Sequence, residues 1–440
     1  MQIKKDLASD YKISGDGLIY TFDLKQAVWS DGKKLTSDDV VFSFNAALST
    51  NLRSHLKSLF EGIRVDRIDE DTLEFHLFQP YSGFLVNLTQ LKIIPEHIWS
   101  ALPFDSWSLS DAALEPITSG PYLVDKVIKN QNRATEYRLL ANESYHLQKP
   151  HIEKIRVKIF DNPESLRVAL LTKQIDATSD LPLEILNGLH KRSLVFEKYT
   201  QPSYFALFFN LQRSTGEKKI RSLIDATIDR NYIANEILAG YVEPLNNGPF
   251  AQKLLERQVP QSSSSTSTTT EFLQTPLKLI LSTPNNDALK AVAATIAKDL
   301  SAKNINVSLK ILNEQEIQTA LTNKNFDVIL FGENFYLSFD LFDLWHYNTP
   351  GNIVAYQNST LDQLIEENRT TQSEEKLREN LLKINDILKK DAPAVFIFSP
   401  YVVYAHRSNL HLDKINPINS NVNYLSNIET WYFKTRRVLK

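Results

Sequence analysis

Residues 277–332 read LKLILSTPNNDALKAVAATIAKDLSAKNINVSLKILNEQEIQTALTNKNFDVILFG, and this stretch decides the fold. Short apolar runs within it predict strands, and two longer segments between them carry apolar residues at helical spacing. The predicted strands are 277–282, 306–312 and 326–332, and the predicted helices are 287–303 and 314–325. Such a strand–helix–strand–helix–strand order predicts a parallel sheet with helices on its faces.

The rest of the chain also predicts alternating strands and helices. The predicted strands are 18–24, a pair within 64–80, 91–94, a hairpin at 117–142, 151–160, 204–211 and 394–406, and the predicted helices are 163–177, 218–240 and 359–391, the last broken near Thr371. The sharpest change in composition is QSSSSTSTTTE (261–271), which is too polar to pack and predicts a loop at a domain boundary.

The composition excludes several classes of protein. The chain has 440 residues, enough for about three domains of roughly 150 residues each. Its net charge is −3, without the basic face of a nucleic-acid-binding protein. The absence of cysteine excludes disulfides and thiolate metal sites. No run approaches the roughly 18 apolar residues of a membrane-spanning helix, and the N-terminus lacks the apolar segment of a signal peptide.

Motifs for catalysis or for metal and cofactor binding are not found. The nine histidines form no HExxH motif, and only 12 glycines are present, so a phosphate-binding loop is not expected. The adjacent acids Asp38 and Asp39 could pair for acid–base chemistry. We favour helix capping, with Thr36 as the N-cap, because acids in the first turn complement the positive end of a helix. We expect Trp29 beside them to be a packing residue.

The segment ENFYLSFDLFDLWHYN (333–348) is the best candidate for a binding site. It places aromatic residues among polar ones directly after a predicted parallel strand, where ligands of open α/β sheets bind. The alternative is an aromatic core helix, and both can hold if one face packs and the other binds. The candidate ligand-binding residues are Tyr204, Glu333, Asn334, Tyr336, Ser338, Phe339, Asp340 and Trp345.

Five segments, taken in order, resemble one family. VWSDGKKLTSDDVVFSFNAAL (28–48) resembles the F-x-DG-x-x-[LF]-T-A-x-DVVFS signature of family 5 extracytoplasmic solute-binding proteins, the peptide, nickel and opine receptors of ABC importers. ITSGPYLV (117–124) is similar to the GTGPY turn of that family. The other similar segments are 7–24, 142–177 and 218–250. The resemblance covers nearly the entire chain.

The resemblance implies an α/β fold of the type II periplasmic-binding-protein kind, with two lobes, an extra subdomain and mixed sheets flanked by helices. It assigns 1–115 to the extra subdomain with a remnant of lobe one, 116–255 to lobe one, completed by 412–440, and 256–411 to lobe two. It also implies that the stretch at 28–48 is scaffold rather than ligand site.

Two departures from the family pattern bear on the site. The resemblance implies that the sequence begins near the LA-x-SW point of the family, after the segment that supplies early strands of lobe one. Lobe one is then expected to be incomplete, or to be completed by another chain or by a longer reading frame. Aligning SFDLFDLW (338–345) with the D-x-x-DPD loop, whose acid pairs with a ligand amine, places Ser338 at the acid and Phe339 at the proline. Either Asp340 or Glu333 then replaces that acid, or the ligand lacks a free N-terminus.

The resemblance implies a receptor that binds a peptide or similar small solute in a cleft between the lobes, closes by a hinge motion and performs no chemistry. The implied partners are ABC permease subunits, and no nucleic acid or cofactor is expected. A monomer is expected, in a periplasmic or membrane-anchored extracytoplasmic location. The alternatives are a sensor or degenerate member of the same fold and, more remotely, a hydrolase with paired carboxylates.

Overall fold

The computed structural model describes residues 4–49, 52, 54, 56–131, 133–179, 181, 189, 193–251, 273–335, 338–413 and 425–434. The chain divides into two compact units. Unit 1 comprises Met1–Asp176, Arg407–Lys414 and Tyr424–Lys440, and unit 2 comprises Ala177–His406 and Ile415–Asn423. The three-part division inferred from the resemblance stays a prediction, and the polar segment 261–271 lies outside the described residues.

The first part of unit 1 is an antiparallel sheet covered by helices. Its strands are β1 (Ala8–Ile13), β2 (Ile19–Leu24), β3 (Arg64–Arg67) and β4 (Thr72–His76), in the order β1-β2-β4-β3. Its helices are α1 (Ser37–Leu48), α2 (Leu56–Phe60) and α3 (Phe84–Leu88). Tyr20 and Phe22 of β2 are buried with Phe44 of α1 and Phe75 of β4. The alternation predicted for β2 is therefore confirmed, because a strand turns every second side chain toward the core.

The second part of unit 1 contains the predicted hairpin. It comprises α4 (Glu96–Trp99), α5 (Asp111–Leu114), β5 (Tyr122–Asn130), β6 (Arg133–Ala141), β7 (Lys154–Lys158) and α6 (Pro163–Leu171). Strands β5, β6 and β7 form an antiparallel sheet in that order. The strand predicted at 91–94 is wrong, because these residues form no strand before α4 begins.

Unit 2 contains the strand–helix–strand–helix–strand stretch 277–332. Its elements are β8 (Ala177–Thr178), β9 (Leu194–Thr200), β10 (Ser203–Phe209), α7 (Lys218–Thr227), α8 (Arg230–Tyr232), a π-helix (Ile233–Ile237), β11 (Val242–Pro244), β12 (Leu277–Pro284), α9 (Asp287–Ser301), β13 (Ile305–Leu312), α10 (Glu314–Thr322), β14 (Val328–Asn334), α11 (Phe342–Trp345), α12 (Ser359–Thr370), α13 (Glu374–Asp391) and β15 (Ala394–Arg407). Strands β16 (Leu410–His411) and β17 (Tyr432–Phe433) pair within unit 1.

The parallel arrangement predicted for unit 2 is confirmed. Strand β12 pairs in parallel with both β13 and β14. The main sheet runs β11-β15-β10-β14-β12-β13, with β8 and β9 also paired to β15. Strand β10 is antiparallel to β14 and β15, so the sheet is mixed. The helix predicted at 218–240 is instead interrupted after α7, because Asp229 caps a new helix by accepting the Tyr232 N–H.

The sheet of unit 2 is buried on both faces. Along β10, Tyr204 and Phe208 belong to the hydrophobic core on one face, and Leu207 and Phe209 belong to the core on the other. Such two-sided burial is expected when helices cover a sheet that contains parallel strands. The face that carries Tyr204 also carries Glu333, one residue before the end of β14, and this places the candidate site.

Candidate functional site

The candidate site is organised by the pairing of β10 with β14. Tyr204 and Glu333 are directly opposite each other in this antiparallel pair, so their side chains are neighbours on one face. The Tyr204 hydroxyl donates to Glu333 Oε2 at 2.5 Å. The indole Nε1 of Trp345, in α11, donates in turn to the Tyr204 hydroxyl oxygen at 3.0 Å. Tyr204 thus forms a hydrogen-bonded chain with two residues that lie more than a hundred positions away in sequence.

Burial dominates the electrostatics of this chain. The pKa of Glu333 rises to about 8, because burial penalises the charged carboxylate more than the hydrogen bond from Tyr204 favours it. The pKa of Tyr204 lies well above its usual value for the same reason, reinforced by the neighbouring Glu333. Among the described residues, no cationic side chain forms an ion pair with Glu333. The neutral form of the Glu333 carboxyl group is therefore favoured more than that of an exposed glutamate.

Aromatic rings surround the chain. Phe335 is buried and lies 6.1 Å from the Tyr204 ring and 5.4 Å from the Phe250 ring, measured between centroids. Phe339 also packs on Phe335 at 5.4 Å, with a backbone φ of 53°. A phenylalanine in this left-handed region is unusual and costs conformational energy. The loop after β14 is thus held in a specific shape by packing among its rings.

Asp340 differs from Glu333 because it has a cationic partner. Its carboxylate lies 3.2 Å from Arg369 Nε of α12 and accepts the Phe342 N–H at 3.1 Å. The Arg369 guanidinium also lies 4.4 Å above the Phe342 ring, an arrangement that favours a cation. Burial and the neighbouring Asp340 raise the pKa of Asp343, which lies in α11. Asp340 therefore participates in an internal ion pair that fixes the loop against α12.

The remaining candidates occupy different environments. Trp345 is fully buried in the core of unit 2, Ser338 is buried, and Asn334 is exposed at the end of β14. Tyr336 lies outside the described residues. The aromatic helix considered as an alternative is present only as the four residues of α11. The role of these eight residues in ligand binding stays a prediction.

Two residues that shape the site were not found from the sequence. Phe250 follows the segment NNGP, and Arg369 lies within a long polar helix, so neither has a local pattern that indicates a site. Both reach the loop only because distant segments pack together in unit 2. A single sequence carries no signal for contacts between residues so far apart along the chain.

Asp39, in the first turn of α1, has the predicted capping role. Asp39 is buried, and its Oδ2 accepts the Thr36 N–H at 2.9 Å and the Trp29 indole N–H at 3.1 Å. Its Oδ1 accepts the N–H of Glu96 at 2.8 Å. Asp38 is more exposed and pairs with Arg67. Asp39 is thus a structural acceptor whose hydrogen bonds hold α1 to its neighbours.

Two other features are absent from the described residues. No group of three or more acidic or histidine side chains there is arranged to hold a metal ion. No described helix has both the length and the apolar character needed to cross a bilayer.

The fold and the site define a class of protein. An α/β sheet with an aromatic, hydrogen-bonded loop after a strand is typical of a ligand-binding site. The model of one family, bacterial extracellular solute-binding proteins, family 5, matches residues 2–354. The chain therefore belongs to this family, which confirms the resemblance stated above. Its members bind solutes, so the prediction of a binding protein rather than an enzyme is also confirmed.

Relatives and solved structures agree with this assignment. The oligopeptide-binding protein AppA of Bacillus subtilis is 22% identical over 463 residues, which covers 98% of this chain and 84% of AppA. The structure of the ABC transporter substrate-binding protein CtaP from Listeria monocytogenes matches with a TM-score of 0.81 and 22% identity, covering 98% of this chain and 91% of CtaP. The structure of NikZ from Campylobacter jejuni with Ni(L-His) matches with a TM-score of 0.74 and 20% identity, covering 98% and 91%. These likenesses confirm the predicted fold, and the family name agrees with an extracytoplasmic location.

Proposed function

We propose that this protein is the receptor of an ABC importer and that it binds a peptide or a similar small solute carrying a cationic group. Family membership supports the binding role, and the relative AppA is named for oligopeptide binding. The proposed partners are membrane permease subunits, the proposed location is extracytoplasmic with membrane anchoring, and the proposed state is a monomer. The observation that carries the choice of ligand is the contrast between the two candidate acids, Glu333 and Asp340.

Glu333 is the better of the two acids to receive a ligand cation. Asp340 already has Arg369 as its partner, so a second cation there would compete with an existing ion pair. Glu333 accepts one hydrogen bond from Tyr204 and is only partly exposed. An ammonium group that leaves water needs a carboxylate partner, and of the two candidate acids Glu333 and Asp340, Glu333 is the one without a cationic partner among the described residues.

The surrounding rings suit the rest of a peptide. Phe335, Phe339 and Phe250 form apolar walls beside the carboxyl group. Binding sites for small ligands combine such walls with a few polar groups that orient the ligand. The exposed Asn334 supplies a further polar side chain at the strand end. Ser338, Tyr336 and Trp345 remain proposed members of the same site.

Isothermal titration calorimetry with a matched pair of peptides tests the proposal. The pair is tri-alanine with a free amino terminus and its N-acetyl form, titrated into the protein at pH 7.5. We expect the free-amine peptide to bind at least about tenfold more tightly, because one charge-assisted contact contributes about 1.5–3 kcal/mol. Glu333→Gln should remove this preference, and the matched variant Asp340→Asn should keep it. Equal binding of both peptides, or loss of the preference only in Asp340→Asn, would contradict the assignment.

A further inference from the structure

The hydrogen-bonded chain at Glu333 has a defined direction. An indole N–H can only donate, so the bond from Trp345 occupies the acceptor side of the Tyr204 hydroxyl. The single O–H of Tyr204 is thereby directed to Glu333, where it donates to Oε2. Trp345 is itself fixed by core packing, with its ring 6.3 Å from that of Phe208. The orientation of the Glu333 carboxyl group is thus determined by residues behind it.

Among the described residues, no charged group near Glu333 stabilises its carboxylate form. Tyr204, from β10, is the one titratable group of the described residues that contacts it. From the following loop and α12, Asp340, Asp343 and Arg369 interact with one another. Burial raises the pKa of Glu333, and the bond from Tyr204 counteracts part of that rise. Tyr204 therefore keeps a buried carboxyl group within reach of ionisation near neutral pH.

We propose that Glu333 carries a proton in the free protein and releases it when a cationic ligand group binds, with Tyr204, held by Trp345, as the positioning residue that makes this exchange possible. The proposal rests on the proposed function. In the exchange, the carboxyl O–H bond breaks and its proton passes to solvent. The carboxylate then accepts an N–H of the ligand ammonium. One positive charge enters the site as one leaves, so the buried site gains no net charge.

The exchange makes affinity depend on pH. Because Glu333 has a pKa of about 8 in the free protein, removing its proton before binding becomes harder as the pH falls. The affinity for a free-amine peptide should then rise about tenfold per pH unit between pH 5 and 7. An N-acetyl peptide should show no such dependence. The number of protons released on binding should be about one at pH 6, where the peptide amine is fully charged.

Calorimetry in buffers of different ionisation enthalpy measures this proton release directly. Tri-alanine is titrated at pH 6 in a phosphate buffer and in a histidine buffer, and the difference in binding enthalpy gives the number of protons. We expect about one proton for the unchanged protein. We expect about zero for Glu333→Gln, which is neutral at every pH. Asp38→Asn, which changes an acid of unit 1 paired with Arg67, serves as the control and should still release about one proton.

The positioning role of Tyr204 has a separate readout. The carboxyl ¹³C resonance of Glu333, identified by its loss in Glu333→Gln, should titrate with a midpoint near 8 in the free protein. In Tyr204→Phe the midpoint should move to higher pH, because the hydrogen bond that favours the carboxylate is lost. A purely structural role for Tyr204 would lower affinity equally at all pH values and leave the midpoint in place, which would overturn this part of the proposal.

The outcomes separate the exchange from the proposed function. Binding of tri-alanine without proton release, or a Glu333 midpoint below about 5, would overturn the exchange and leave the binding function intact. A failure of every free-amine peptide to bind would overturn the proposed function and the exchange with it. Proton release that persists in Glu333→Gln would assign the exchange to another group.

Discussion

Asp39 of unit 1 and Glu333 of unit 2 both lie near a tryptophan indole, but they differ in the number of hydrogen bonds that they accept. Each is associated with a tryptophan indole, Asp39 directly through Trp29 and Glu333 through Tyr204. Asp39 accepts three N–H donors, two of them from the backbone. Glu333 accepts one phenol O–H. The number and kind of donors, rather than burial alone, separates a structural carboxylate from one that can exchange its partner.

One protein can thus contain both structural acids, such as Asp39, and acids that remain available to a ligand, such as Glu333. A carboxylate whose oxygens are all occupied by N–H groups holds its surroundings together and has little left to offer a ligand. An acid that accepts one hydrogen bond and has no cationic partner can still form an ion pair with a cationic group of a ligand. Asp340, with its Arg369 partner, belongs with Asp39 in this respect although it lies seven residues from Glu333 in the chain.

The largest expected effect on stability is at Asp39, the structural acid of the pair. Asp39→Ala leaves the N–H groups of Thr36, Trp29 and Glu96 without their acceptor in a buried place. We expect the free energy of unfolding to fall by about 3–5 kcal/mol. Urea denaturation followed by circular dichroism measures this. The control Asp38→Ala removes only a surface pair with Arg67 and should cost under about 1 kcal/mol. Equal losses in both variants would contradict the distinction.

The indole that supports Tyr204 provides the next test. Trp345→Phe removes the N–H donated to Tyr204 and part of a fully buried ring. We expect a loss of about 2–3 kcal/mol in the free energy of unfolding, from reduced packing and from the missing hydrogen bond. Thermal unfolding of the matched variant Tyr347→Phe, whose side chain is exposed, should be unchanged. A similar shift in both would show that the internal bond is unimportant.

Glu333→Gln should stabilise the protein, with an effect that depends on pH. Because the folded-state pKa is raised to about 8, the native protein holds a proton that the unfolded chain loses above its ordinary value. Stability linked to Glu333 is therefore complete below that ordinary value and decreases as the pH rises toward 8. We expect Glu333→Gln to gain about 1–1.5 kcal/mol at pH 7 relative to pH 6. A constant difference between these pH values, in paired urea titrations, would contradict a neutral Glu333.

The smallest effect is expected at Asp340. Asp340→Asn weakens the partly exposed ion pair with Arg369 but keeps an acceptor for the Phe342 N–H. We expect a loss of about 0.5–1 kcal/mol in the free energy of unfolding. The loss should shrink further in 1 M salt, where charges are screened. A larger loss than that of Trp345→Phe would show that this ion pair, rather than the aromatic packing, determines the shape of the loop.

The sequence alone predicted the elements that depend on local patterns. The alternation in β2, the capping role of Asp39 and the parallel β12, β13 and β14 follow from spacing and residue type, which act over a few neighbouring residues. The division of 359–391 near Thr371 into α12 and α13 was also predicted from the sequence. The interruption after α7 was not predicted, because the apolar periodicity of 218–240 continues through the Asp229 cap.

The chemistry of the site could not be predicted from the sequence, because it depends on contacts between distant segments. Local pattern placed Glu333 and Asp340 in one aromatic segment, and nothing in that segment distinguished them. The distinction arises because the pairing of β10 with β14 brings Tyr204 to Glu333, while α12 brings Arg369 to Asp340. The pKa of a carboxyl group depends on its burial and on the donors within a few ångströms, and these are set by residues more than a hundred positions away or in another element.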